Sequence, residues 1–172
     1  MGTRNPSPVT QFPDHPVPNV LFVCFGNACR SQIAEALANH LGRGSVRAFS
    51  AGAHPLGWVP SETHDVLDEK GISLEGHRSK GLKDVPLSEM DVVVEMEAGL
   101  VGTLPENFKG RLIEWDIPDP FAADIEIFRA VRDLIEEQVN ALLAELCQLH
   151  SNSARELPAR IRPGRRPPAR SE

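Results

Sequence analysis

The apolar residues of the chain fall alternately into short unbroken runs and one-sided stripes. Val20-Leu21-Phe22-Val23 is a continuous run, the pattern of a strand buried on both faces. Beyond the loop 24–31, Ile33, Ala34, Leu37, Ala38 and Leu41 recur at helical spacing, so a helix follows at once. Residues 45–49 read as a second strand that ends at Ser50-Ala51-Gly52. Strand, helix, strand in that order implies a parallel pair joined by a right-handed crossover. A helix is predicted over 61–70, capped by Ser61, turning Val66 and Leu67 inward and stopped by Gly71. Residues 90–96, rich in Val, read as a buried strand, 97–104 as a short helix and 111–115 as a fourth strand. Residues 124–150 form one long helix, whose stripe of Ile127, Phe128, Val131, Leu134, Ile135, Val139, Leu142, Leu143 and Leu146 covers a face of the sheet.

A chain of 172 residues suits one domain with a sizeable core, and the pattern places that domain at 20–150. The lead 1–19 holds Pro6, Pro8, Pro13, Pro16 and Pro18 without periodicity, and is expected to be disordered. The tail 151–172, rich in Arg and Pro with few apolar residues, is expected to be disordered too. It reads as a solubilising tail or as an electrostatic tether to an acidic partner, RNA or an anionic membrane. The net charge of −6 hides this asymmetry. The tail holds six Arg and two Glu, so of 18 Lys/Arg and 24 Asp/Glu the body keeps 12 and 22. Such an acidic body argues against nucleic-acid binding by the domain. No apolar run approaches the length of a membrane span, and the first residues lack the apolar core of a secretory signal. Three Cys do not make a disulfide framework and fit the reducing cytoplasm, the expected location.

The chemistry concentrates in Cys24-Phe25-Gly26-Asn27-Ala28-Cys29-Arg30-Ser31. A strand, a loop of small residues and a helix start together make an anion site. The loop N–H groups and the helix dipole favour negative charge at one spot. Gly26 and Asn27 tolerate the positive φ that turns successive N–H groups inward. Arg30 can fork two oxygens of a tetrahedral oxyanion. Cys24 lies under the same donors, where a thiolate is favoured, and Ser31 can donate a hydrogen bond to it. The fold class expected is α/β: a four-stranded parallel sheet with helices on both faces and a phosphate loop after the first strand.

The run VCFGNACRS resembles the phosphate loop of low-molecular-weight protein tyrosine phosphatases and of the related arsenate reductases that share their fold. The resemblance covers roughly residues 20–149. It implies that Cys24 is a nucleophile, that Arg30 binds the oxyanion and that Ser31 assists the thiolate, with Phe25, Gly26, Asn27, Ala28 and Cys29 completing the loop. It also implies a hydrogen-bond network joining Asn27 to Ser50 and to the distant His77, which keeps the loop shaped. Phe25 would point to the pocket mouth. Trp58 reads either as core packing or as a wall of the substrate cleft. Asp116-Ile117-Pro118-Asp119-Pro120-Phe121 resembles the family's Asp-Pro-Tyr loop. Asp119 is then the general acid, Asp116 the alternative, and Phe121 the aromatic that packs along a substrate.

The reaction so implied is phosphate-monoester hydrolysis through a phosphocysteine, with neither metal nor cofactor. The substrate would be a phosphotyrosine protein, phosphoarginine or a small phosphate ester. Two other readings stand beside it. Ser31-Gln32-Ile33-Ala34-Glu35 looks more like the arsenate reductases, but the stretch at the third strand, VVVEMEAGLVGT, holds no Cys and Cys147 lies far away on a helix, so a reductase here would need an external low-molecular-weight thiol. A non-catalytic phosphate-binding module is the other. Cys29 is a candidate partner for a protective disulfide with Cys24, whereas Cys147 is expected to be inert packing.

Overall fold

The computed structural model describes residues 17–155 apart from Thr103. Residues 1–16 of the expected lead and the tail beyond residue 155 lie outside the described residues. β1 (Asn19–Cys24) is buried along its whole length. It pairs in parallel with β2 (Arg47–Gly52) on one side and with β3 (Val92–Glu95) on the other. β4 (Arg111–Glu114) extends the sheet beyond β3, giving the order β2-β1-β3-β4, parallel throughout. The chain leaves β1 for β2, then crosses back over β1 to reach β3. The crevice at the carboxyl ends of β1 and β3 is therefore the switch point where open α/β sheets bind ligands.

Period-two alternation along β1 sorts its side chains between two cores. Val20, Phe22 and Cys24 face α1 (Arg30–Gly42), α2 (Ser61–Asp68) and α3 (Ile125–Arg155), through Ile33, Leu37, Val66, Leu67, Phe128, Val131 and Ile135. Leu21 and Val23 face the other side, covered by two 3-10 turns at Leu82–Asp84 and Leu87–Glu89 and by the segment around Val101. Complete burial of each such side chain stabilises the fold by about 1.5–3 kcal/mol.

Several elements depart from the expected boundaries. No helix forms over 97–102. Gly99 and Gly102 take φ of 80° and 66°, and the buried Glu95 carboxylate accepts the N–H groups of Gly99 and Val101 at 3.2 and 3.0 Å. Those N–H groups are thus taken by a side chain rather than by a helical ladder. α2 starts from Pro60 in an extended conformation, and Ser61 does not cap it; the Ser61 hydroxyl turns to Glu62 instead. α3 begins after Asp124, whose carboxylate accepts the Ile127 N–H at 3.3 Å, and continues to Arg155, past the expected end at residue 150. Ile127 faces outward, off the buried stripe, and Cys147 is exposed rather than packed. No described helix is long and apolar enough to cross a membrane.

Candidate active site

Cys24 ends β1 opposite Gly52 of β2. The five carbonyls from Cys24 to Ala28 are all engaged by the surrounding chain. Ala53 N–H donates to Cys24 O at 3.1 Å, His54 N–H to Phe25 O at 2.8 Å and Leu56 N–H to Gly26 O at 3.0 Å. The Ser79 hydroxyl adds a bond to Gly26 O at 2.9 Å, Gln32 Nε2 donates to Asn27 O at 3.1 Å and the Thr63 hydroxyl to Ala28 O at 3.1 Å. A trans peptide sets N–H opposite C=O, so the amide hydrogens of the same peptides face the other way, as an anion cradle requires. α1 begins directly after Cys29 with no side chain capping its amino end, which leaves the dipole and first-turn donors to the crevice.

Gly52 is required by this arrangement. A Cβ there would lie 2.8 Å from Asn27 N and 2.9 Å from the Gly26 carbonyl carbon. β2 therefore touches the loop backbone directly. Asn27 takes the left-handed conformation expected of it, with φ 47°.

Cys24, Phe25, Gly26, Ala28, Cys29 and Arg30 line one cavity of about 130 Å³ together with Leu56, Asp119 and Phe121. Arg30 is almost wholly buried. Its Nη1 donates to Ile117 O at 3.0 Å and its Nη2 meets Asp119 Oδ2 at 2.8 Å, with Glu97 3.7 Å away. A buried guanidinium needs such partners, because an unpaired charge out of water is costly. Asp116 is exposed and not part of the cavity lining. Phe25 is half-exposed at the mouth, its ring 4.9 Å from that of His54. Trp58, left by sequence between core and cleft, is 55% exposed, and its ring lies 6.2 Å from that of Phe121.

The remaining expected residues lie beneath the cavity. Ser31 Oγ is 3.0 Å from Cys24 Sγ. Asn27 Nδ2 donates to Ser31 Oγ at 2.8 Å and to Ser50 Oγ at 2.9 Å. His77 does not bond Asn27 directly; its Nδ1 lies 2.8 Å from Gln32 Oε1, and Gln32 Nε2 reaches Asn27 Oδ1 at 3.0 Å. Ser50 also donates to Glu35, which Lys80 approaches at 3.4 Å. Burial holds the His77 imidazole below its usual pKa, with the Glu35 carboxylate opposing that shift. Burial also pushes the Cys29 thiol up to about 12, against the hydroxyl of Thr63.

Sequence reasoning missed the supporting roles of Gln32, Glu35, Thr63 and Lys80. One signal was present. Gln32 and Glu35 are three residues apart on α1, within a run of otherwise apolar buried positions. Polar groups set in such a run need partners.

The family model for the low molecular weight phosphotyrosine protein phosphatase matches residues 19–152. A glutaredoxin arsenate reductase of Synechocystis is 33% identical, over 74% of this chain and 97% of its own length. The low molecular weight protein-tyrosine-phosphatase YfkJ of Bacillus subtilis is also 33% identical, over 74% of this chain and 95% of its own. Among solved structures, the YwlE arginine phosphatase of Geobacillus stearothermophilus superposes with a TM-score of 0.70 at 32% identity, covering 78% of this chain and 96% of that one.

Proposed function

The chain belongs to the low molecular weight phosphotyrosine protein phosphatase family, and from that premise we propose that it hydrolyses phosphate monoesters through a phosphocysteine formed on Cys24. The observation that carries this reading is the shared cavity, lined at once by Cys24, the buried Arg30 and Asp119. In the proposed reaction the Cys24 thiolate attacks phosphorus in line. Arg30 and the loop amides hold the non-bridging oxygens. Asp119, protonated, gives its hydrogen to the leaving group. Water then attacks the phosphocysteine with Asp119 as base, and the Ser31 hydroxyl stabilises the departing sulfur.

The substrates that suit this site are a phosphotyrosine protein, a small phosphate ester or phosphoarginine, the last by analogy with the relative named as an arginine phosphatase. The half-exposed Phe25 and Phe121 at the mouth offer apolar surface to a planar leaving group. The deciding experiment is hydrolysis of p-nitrophenyl phosphate by Cys24→Ser. Turnover is expected to vanish while inorganic phosphate still binds; turnover that survives would reject Cys24 as the nucleophile.

A second reading is favoured by the relative that is a glutaredoxin arsenate reductase. Arsenate would occupy the same cradle, and reduction would need a thiol. Cys147 is exposed far along α3, and Cys29 is buried with its thiol pushed up to about 12. An external low-molecular-weight thiol would therefore supply the electrons. Arsenate-dependent oxidation of such a thiol, assayed beside phosphate release, separates the two activities.

A further inference from the structure

Gln32, the third residue of α1, is fully buried, and its amide makes four hydrogen bonds. At one end Nε2 faces three carbonyl oxygens: Asn27 O at 3.1 Å, Asn27 Oδ1 at 3.0 Å and Arg78 O at 3.0 Å. Acceptors on that side can be met only by the NH₂ group, so the surroundings fix which way the amide points. Oε1 must therefore face His77 Nδ1, 2.8 Å away. An amide oxygen only accepts, so Nδ1 carries the hydrogen. The tautomer of His77 is thus set from outside the ring.

The same logic runs on toward the sulfur. Asn27 Oδ1 accepts from Gln32 and from the Lys80 N–H at 2.8 Å, so Nδ2 is the end that meets Ser31 and Ser50. Ser31 Oγ accepts from Asn27, which leaves its own hydrogen for Cys24 Sγ at 3.0 Å. Four bonds of 2.8, 3.0, 2.8 and 3.0 Å then point in one direction, from His77 through Gln32, Asn27 and Ser31 to Cys24. In such a chain each donor is polarised by the one behind it.

We propose that Gln32 is a positioning residue which makes His77, Asn27 and Ser31 a one-way chain of donors ending on the Cys24 sulfur. The chain favours sulfur as an anion, both when it attacks and when it leaves phosphorus. Gln32 also bonds both oxygens of the one loop residue with positive φ, and so resists relaxation of that turn. The proposal rests on Cys24 being the nucleophile of the reaction proposed above.

The test joins a readout that needs no turnover to one that does. In the wild-type protein, long-range proton–nitrogen NMR of the imidazole is expected to show His77 with hydrogen on Nδ1. Gln32→Leu is expected to lose that tautomer and to lower kcat by about tenfold, the worth of one hydrogen bond. Gln32→Glu separates the two halves of the chain. Its carboxylate still accepts from His77, so the Nδ1 hydrogen stays, but it cannot donate to Asn27, and kcat is expected to fall as far. Wild-type His77 carrying hydrogen only on Nε2 overturns the proposal. So does a Gln32→Glu protein with undiminished kcat. If Gln32→Leu does not fold, the wild-type spectrum and the Glu variant still decide. If the wild-type protein hydrolyses no phosphate ester, the functional reading fails, while the spectrum still tests the direction of the chain.

Discussion

The Arg30 guanidinium and the Asp119 carboxylate, 89 positions apart in sequence, meet at 2.8 Å across the cavity. Arg30 comes from the first turn of α1, Asp119 from the proline-stiffened segment after β4. Their contact sets the group proposed to hold the oxyanion against the group proposed to protonate the leaving atom. An oxyanion bound at Arg30 as proposed would compete with the Asp119 carboxylate for the same guanidinium nitrogen.

That competition gives Asp119→Asn two expected effects of opposite sense. Turnover of p-nitrophenyl phosphate should fall by about 10²–10⁴, the usual worth of a general acid. Inorganic phosphate should bind at least as tightly as before, because Arg30 loses an anionic competitor. Steady-state kinetics with phosphate as inhibitor measures both. Equal losses in rate and in phosphate affinity would assign Asp119 to binding alone, and a rate loss found with Asp116→Asn instead would move the acid.

Gly52→Ala tests the close approach of β2 to the loop. The new Cβ would meet backbone atoms at 2.8 and 2.9 Å, and overpacking of this kind costs about 1–3 kcal/mol. Phosphate affinity is expected to fall together with the thermal midpoint, since the atoms displaced belong to Gly26 and Asn27. Gly110→Ala provides the contrast. Its Cβ would lie 2.5 Å from Met90 O and 2.6 Å from Asp91 O, so it should lower the midpoint and leave phosphate binding in the folded fraction unchanged. Variants with the same ratio of effects would refute a specific link between Gly52 and the loop.

Thr63 acts on the loop from α2, through the hydroxyl that reaches Ala28 O at 3.1 Å. Thr63→Val keeps the shape but leaves that buried carbonyl unpaired, at a cost of about 1–3 kcal/mol. Weaker phosphate binding and a lower thermal midpoint are expected, with Thr63→Ser close to wild type. Calorimetric titration of phosphate into the three proteins checks this; full affinity in the Val variant would show that the carbonyl needs no such anchor.

Cys29 predicts a pH dependence of stability. Its thiol ionises near 9 in the unfolded chain and near 12 in the folded one. Between those values the unfolded chain has released a proton that the folded chain still holds. The group's contribution is therefore complete below pH 9 and is lost as pH rises toward 12, by at most about 1.4 kcal/mol per pH unit. Urea unfolding of wild type and Cys29→Ala at pH 8 and pH 10.5 is expected to show a steeper decline in the wild type. Parallel declines would mean that the buried thiol ionises freely.

The loop and the segment that carries Asp119 were legible in the sequence because each is a local pattern. Val20–Val23 and the helical spacing from Ile33 onward bracket Cys24 and Arg30, and the Asp-Pro pair at 119–120 stands out beside them. Trp58 was not legible in this way, since an aromatic in a Pro/Gly loop suits either a core or a surface; packing against Phe121 at the surface is settled only by where the segment after β4 passes. The short helix expected over 97–104 failed for a related reason. Its local pattern was helical enough, but a buried carboxylate on the preceding strand took the N–H groups of Gly99 and Val101.

By itself, then, the sequence determined the strand, the turn and the helix that place Cys24 at the head of the loop leading into α1. Those features follow from backbone geometry and dipoles acting over about a dozen neighbouring residues. Only the tertiary structure decided that Asp119 lies against Arg30, that Thr63 holds Ala28, and that Gln32 stands between His77 and Asn27. Each of those contacts joins segments brought together by the sheet order β2-β1-β3-β4 and by helices packed on it. A hydrogen bond a few tenths of an ångström within range depends on the packing of all of them, which no local pattern encodes.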